Sequence, residues 1–169
     1  MRVDSSSNLK MLTAYNAWAT HALYECLSMV PEHQLTAPRE IVFGSIVRTL
    51  NHVCLMDEVW QCHLEGRTHS LTSRNPSECP DFSDIMKQQA AMNDWYIECA
   101  ASMTAAHESE RLEFDLIGGT PCVMSRSEIV LHVVNHTTYH RGHIATMIYQ
   151  IPAEPPTTDL PVFLREFAR

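Results

Sequence analysis

Apolar positions recur roughly every three to four residues through most of this chain, the spacing of helices that turn one face to a core. From Asn8 to Val30 they fall at Leu9, Leu12, Trp18, Ala19, Ala22, Leu23, Cys26 and Leu27, and Pro31 ends the segment. A connector, PEHQLTAPREIVF, leads to Gly44 and Ser45. There SIVRTLNHVCLMDEVWQCHLEG predicts a second helix, the most apolar of the set, with Gly66 in the C-cap role. The polar stretch at residues 67–80 carries Pro76 and Pro80 and reads as a loop, ending at Asp81 as the cap of a third helix that runs to His107. LEFDLIGGTPCVMS alternates apolar and polar residues around Gly118 and Gly119, which suits a small hairpin or an irregular excursion. Ser125 and Glu128 match the capping box S-x-x-E, and the helix they open is expected to run through Ile129, Val133, Ile144 and Ile148 to Ile151, where Pro152 stops it. The proline-broken tail then offers Leu160, Val162, Phe163, Leu164 and Phe167, so it is expected to pack back onto the rest. With no internal repeat and no second domain, residues 1–169 predict a single all-α domain. Its natural packing is a four-helix bundle with a short hairpin-like excursion before the last long helix.

Composition changes this picture only by exclusion. Hydrophobic residues make up 45% and charged residues 19% of the 169, the balance of a globular protein with a real core. Twelve Lys and Arg against 20 Asp and Glu leave a charge of −8, and no long basic run occurs, so nucleic acid and anionic membranes are not expected as partners. No apolar run approaches the roughly 20 residues of a membrane span, and the N-terminus lacks the apolar segment of a signal peptide. The six cysteines are scattered, without C-x-x-C, and read as thiols in a reducing cytoplasm.

The chemistry is concentrated in VVNHTTYHRGH, residues 133–143, where a helix that ought to bury a face carries imidazoles along it. His136 and His140 are one turn apart, about 40° around the axis, so one metal ion can span them. His132 and His143 continue the same stripe one turn to either side. A third ligand has to come from another helix, and His52, inside TLNHVCLMDEVW and turned inward with Met56 and Val59, is the candidate. His21, His33, His63, His69 and His107 lie at helix ends, in loops or on polar faces and are read as solvated. Gly142 interrupts the same helix at a cost of about 1 kcal/mol against Ala, which suggests close approach of a neighbouring helix or bound group. Arg141 points away from the imidazole stripe, towards an ion pair with a facing carboxylate or towards solvent.

YNAWA in the first helix, GSIVRTLNHVCLMDEVW in the second, HVVNHTTYHRGH in the fourth and TDLPVFLRE in the tail together resemble the DinB family, whose members include relatives of thiol transferases. The resemblance touches both ends of the chain, and its most specific part is N-H-x-x-x-H-R-G with an upstream helix histidine. It implies an up-down-down-up type four-helix bundle and places the metal ligands at His52, His136 and His140, the trio already reached from helix geometry. It also implies a homodimer and a small-molecule substrate, with a low-molecular-weight thiol such as bacillithiol or mycothiol as cosubstrate. Many relatives carry His at the position of Tyr139 and Gln at that of His143, so the outer residues here are distinctive.

Three neutral imidazoles leave open coordination positions, the arrangement of a catalytic rather than a structural site. Such a donor set accepts zinc or nickel, and also iron or copper. Two functions remain open at this point. One is a metal-dependent thiol transferase or hydrolase with a pocket lined by Tyr15, Trp18 and Met56 and with His143 as an acid, base or hydrogen-bond donor. The other is a non-catalytic metal-binding or stress-response module. Asp57 and Glu58 lie well round the helix from His52, so no general base announces itself.

Overall fold

The computed structural model describes residues 8–167. Among them the order is α1 (Asn8–Ser28), α2 (Glu32–Thr36), α3 (Ile46–Glu65), α4 (Phe82–Ser102), α5 (Ala105–Ser109), β1 (Arg111–Asp115), β2 (Pro121–Ser125), α6 (Arg126–Ile148) and α7 (Leu160–Phe167). The fold is therefore predominantly helical with one small sheet. Four long helices dominate the contacts: α1 packs on α4 and α6, and α3 packs on the same two. No described helix is long and apolar enough to cross a membrane.

The ends of these helices follow local chemistry. α1 stops two residues before Val30 because its last turn tightens: Met29 and Val30 donate to Cys26 and Leu27, three residues back. The connector holds a short helix that the pattern had not suggested, α2, pinned by buried Leu35. Ser45 caps α3 by accepting from the Arg48 amide at 3.3 Å. Gly66 closes it in the left-handed region at φ 67°, where a side chain would be strained. Asp81 stands at the N-cap of α4, but its side chain makes no capping bond.

α4 ends at Ser102 rather than running on to His107. Met103 turns to extended backbone, and the Thr104 hydroxyl accepts from the His107 amide to start the separate turn α5. A Thr that bonds its own backbone outside a helix competes with helix continuation. The excursion that follows is an antiparallel hairpin in which Arg111 faces Ser125 and Asp115 faces Pro121, turned by Gly118 and Gly119 at φ 103° and 81°. Leu112, Phe114 and Met124 from its inner face pack against the cluster around Met56, Trp60 and Tyr96.

The capping box opens α6 as expected, with the Glu128 amide donating to Ser125 Oγ at 3.2 Å and the Ser125 amide donating to Glu128 Oε2 at 2.6 Å. The tail also returns as expected. Phe163 is 2% exposed against Ala14, Tyr15 and Ala19 of α1, with Trp18 beside it.

Candidate metal centre

α3 and α6 are packed neighbours, and the place where they face each other brings His52, His136 and His140 together. One ring nitrogen from each lies within 4.8 Å of those of the other two. His52 Nε2 and His136 Nε2 are 3.1 Å apart. Two imidazole nitrogens on a common ion at about 2.1 Å, with an angle near 95–110°, stand roughly 3.1–3.4 Å from each other, so this edge has the spacing of a chelating pair.

The carbonyl of Arg74 decides the tautomer. His52 Nδ1 donates to it at 2.7 Å, which leaves Nε2 as the lone pair that faces His136. The three residues that follow Arg74 are bound by Arg48, whose Nη2 donates to Asn75 Oδ1 at 2.8 Å and to the Pro76 carbonyl at 3.0 Å, and whose Nη1 donates to the Ser77 carbonyl at 3.2 Å. Phe43 stacks on His52 with ring centroids 4.0 Å apart and leans on His140 at 5.5 Å.

Burial keeps all three imidazoles neutral. It pushes His136 down to about 3, helped by the neighbouring His140 and His52, and His140 down to about 4, helped by His52 and His143. His52 is lowered by burial too, against the opposing pull of the Arg74 carbonyl. Nδ1 of His136 and Nδ1 of His140 are buried without a hydrogen-bond partner. Neutral imidazole is the form that ligates, so a divalent ion entering here displaces no proton from these rings at neutral pH. Three converging neutral nitrogens, one with a fixed tautomer, are a donor set that fits a divalent transition metal.

His132 and His143 flank the trio. His132 lies 5.8 Å from His136 and 4.5 Å from Trp60, ring to ring. His143 lies 5.2 Å from His140 and 4.4 Å from the largely exposed Tyr139.

Other expected lining residues are found in the core. Tyr15 and Trp18 belong to the aromatic cluster under α7, with centroids 5.8 and 5.6 Å from Phe163. Met56 is 6% exposed in the cluster of Val59, Trp60 and Tyr96.

Three readings need correction. His63 and His69 are half-buried rather than solvated: the hairpin folds over the end of α3, Phe114 stacks on His63 at 4.2 Å, and His69 meets it at 5.5 Å. His21, His33 and His107 are exposed, as expected. Gly142 is not a close-approach glycine, since a Cβ there would have no neighbour within 4 Å. Arg141 is 6% exposed, neither solvated nor paired with a carboxylate, and donates from Nη2 to Tyr15 Oη at 2.9 Å and Thr138 Oγ1 at 3.1 Å.

Sequence reasoning missed Phe43, Arg48 and Arg74. Arg74 acts through its backbone carbonyl, which has no signature in side-chain identity, and the other two reach the site only through the connections before and after α3.

The chain is 29% identical over 158 residues to Protein DinB of Bacillus subtilis (strain 168), an alignment that spans 90% of this chain and 91% of that one. Its fold resembles the crystal structure of a DinB-like protein from Bacillus cereus ATCC 10987, with a TM-score of 0.65 at 17% identity, covering 87% of this chain and 94% of that chain. The sequence pattern of the DinB family matches residues 5–167, nearly the whole length, and the chain belongs to the DinB family.

Proposed function

We propose that His52, His136 and His140 hold one divalent metal ion, zinc or nickel ahead of iron or copper, in a metal-dependent enzyme of the thiol S-transferase or hydrolase type. The observation that carries this reading is the convergence of three neutral imidazoles whose only tautomer-fixing bond, at His52, aims its Nε2 at the shared point. The histidines come from two helices and number three, which leaves part of the coordination shell for a small molecule. A divalent ion in such a site lowers the pKa of a bound water or thiol and presents it as a nucleophile at neutral pH.

The chain's own residues divide the remaining work. His143, beside His140 but one turn beyond the ligand pair, holds or moves a proton at the incoming group. Phe43 and Trp60 wall the imidazole cluster. Tyr15, Trp18 and Met56, the expected substrate contacts, are placed in the core clusters, Tyr15 and Trp18 under α7 and Met56 beside Trp60. The framework of this reading is an up-down-down-up four-helix bundle, and the assembly is a homodimer in the cytoplasm, a compartment that suits six free cysteines.

Metal analysis of protein purified without a polyhistidine tag or nickel resin is expected to give one divalent ion per chain. His136→Ala is expected to lose it while keeping the helical circular dichroism signal. His143→Ala is expected to keep the ion and to lower turnover with a thiol or ester substrate by roughly 10-fold or more, against a usual acid-base contribution of about 100-fold and upward. Protein that binds no ion, or binds it as well without His136, overturns the site. Full metal loading without turnover of any thiol or ester leaves a non-catalytic metal-binding module as the function.

A further inference from the structure

Arg141 presents a physical problem that the metal centre does not solve. Its guanidinium is buried, no carboxylate among the described residues lies within ion-pair distance, and Nη1 has no hydrogen-bond partner. A charged donor left dry in a core is strongly disfavoured. Four further buried polar atoms are also unpartnered: Thr20 Oγ1, Tyr24 Oη, Gln89 Oε1 and Thr137 Oγ1. All five residues line one cavity of about 10 Å³ enclosed by α1, α3, α4 and α6. That is the room one water occupies, and a water needs two to four polar partners to stay.

We infer that this cavity is a binding site for a single structural water that joins Arg141 to the carboxyl of Asp57 through Gln89. The orientation of Gln89 carries the inference. Its Nε2 donates to Asp57 Oδ2 at 2.7 Å, so its unpartnered Oε1 is the end left for the cavity. The hydrogen bonds then run in one sense: Arg141 Nη1–H donates to the water, the water donates to Gln89 Oε1, and Gln89 Nε2–H donates to Asp57. The second water proton goes to one of the two threonine hydroxyls, Thr20 or Thr137, and the other hydroxyl donates to the water's remaining lone pair. A buried cation and a buried carboxyl, on α6 and α3, are thereby connected across the core by one amide and one water. A cleft of about 100 Å³ shares Thr20, Tyr24 and Gln89 with the cavity and reaches the surface at His21 and Glu25, which supplies a route for exchange. The relay fastens α6 on the flank next to its ligand pair, at Thr137 and Arg141, each one residue beyond a histidine of that pair.

The sign of an isosteric substitution tests this. In a dry cavity Thr20→Val and Thr137→Val replace an unsatisfied hydroxyl by a methyl group and raise the melting temperature. In a hydrated one they remove an anchor of the water. Each is expected to lower the melting temperature by about 2–4 °C, the shift that one lost hydrogen bond makes in a domain of this size. Unchanged or raised values for both variants overturn the relay. A crystal structure at about 1.5 Å is expected to show one solvent peak within hydrogen-bond distance, about 2.7–3.2 Å, of both Arg141 Nη1 and Gln89 Oε1. An empty cavity there, or an anomalous peak after a bromide soak that marks an anion in place of water, also overturns it.

Discussion

His52, His136 and His140 are prepared for coordination by two different means. His52 is oriented by a hydrogen bond to the Arg74 carbonyl, whereas His136 and His140 are kept neutral chiefly by burial. Burial has a consequence for the metal-free protein. His136 and His140 fall from an ordinary 6.5 to about 3 and about 4, so the unfolded chain takes up protons before the folded one does. Their contribution to stability is complete above about 6.5 and is lost as pH falls towards 4 and below. Asp57 acts in the opposite sense, because burial raises it from 3.8 to about 7 and its share is lost as pH rises through that range. In chelator-treated protein, His136→Gln/His140→Gln is therefore expected to gain melting temperature relative to wild type between pH 7 and pH 4.5. Parallel curves would show that the two rings titrate normally.

Arg48 belongs at this scale as well. It touches no ligand ring in the hydrogen-bond network but clamps Asn75, Pro76 and Ser77, and so holds the carbonyl that orients His52. Outer-shell partners of this kind are worth about 10- to 100-fold in metal affinity. Arg48→Ala is expected to weaken zinc binding by roughly 10-fold, read by competition with a chelating dye, with little change in helix content. Unaltered affinity would mean that the loop holds its place without the clamp.

At the scale of the element, the helix ends follow short-range rules. Ser125 serves both the hairpin, as its last residue opposite Arg111, and α6, as its cap. That double duty fixes where the ligand helix begins. Ser125→Ala removes the hydroxyl half of the capping box and is expected to cost about 1 kcal/mol, or about 2–4 °C in melting temperature measured by calorimetry. A shift below about 0.5 °C would mean that the hairpin alone sets the start of α6. Met103 and Thr104 show the limit of the same rules. The apolar and helix-favouring pattern continues across them, yet the backbone breaks, because the Thr104 side chain offers the His107 amide an alternative partner.

At the scale of the whole molecule, three core clusters divide the interior, and the metal centre sits where α3 and α6 meet. The proposed homodimer belongs to this level. Apolar residues occupy more than one side of α1 and α3, and several large hydrophobics, Met29 and Tyr149 foremost, are exposed at 86% and 73%. Light scattering is expected to report twice the chain mass of 19.2 kDa at micromolar concentration. A monomer throughout that range removes the dimer.

The chain by itself determined its long helices, the capping box at Ser125 and the His136/His140 pair, because each depends on neighbours within about one turn, and it left the segment around Gly118 and Gly119 as a small hairpin or an irregular excursion. It also singled out His52 as a partner, through its inward position on an apolar helix and through the family resemblance. Packing between distant segments decided the rest. Only the folded chain shows that the loop carbonyl of Arg74 reaches His52, that Phe114 covers His63, that Tyr15 and Trp18 pack under α7, and that Arg141 is buried with no counter-charge among the described residues. Periodicity states which side of a helix is inside, but not which other side chain it will find there. That depends on how helices far apart in sequence are placed against one another, and such placement is set by the fit of whole surfaces.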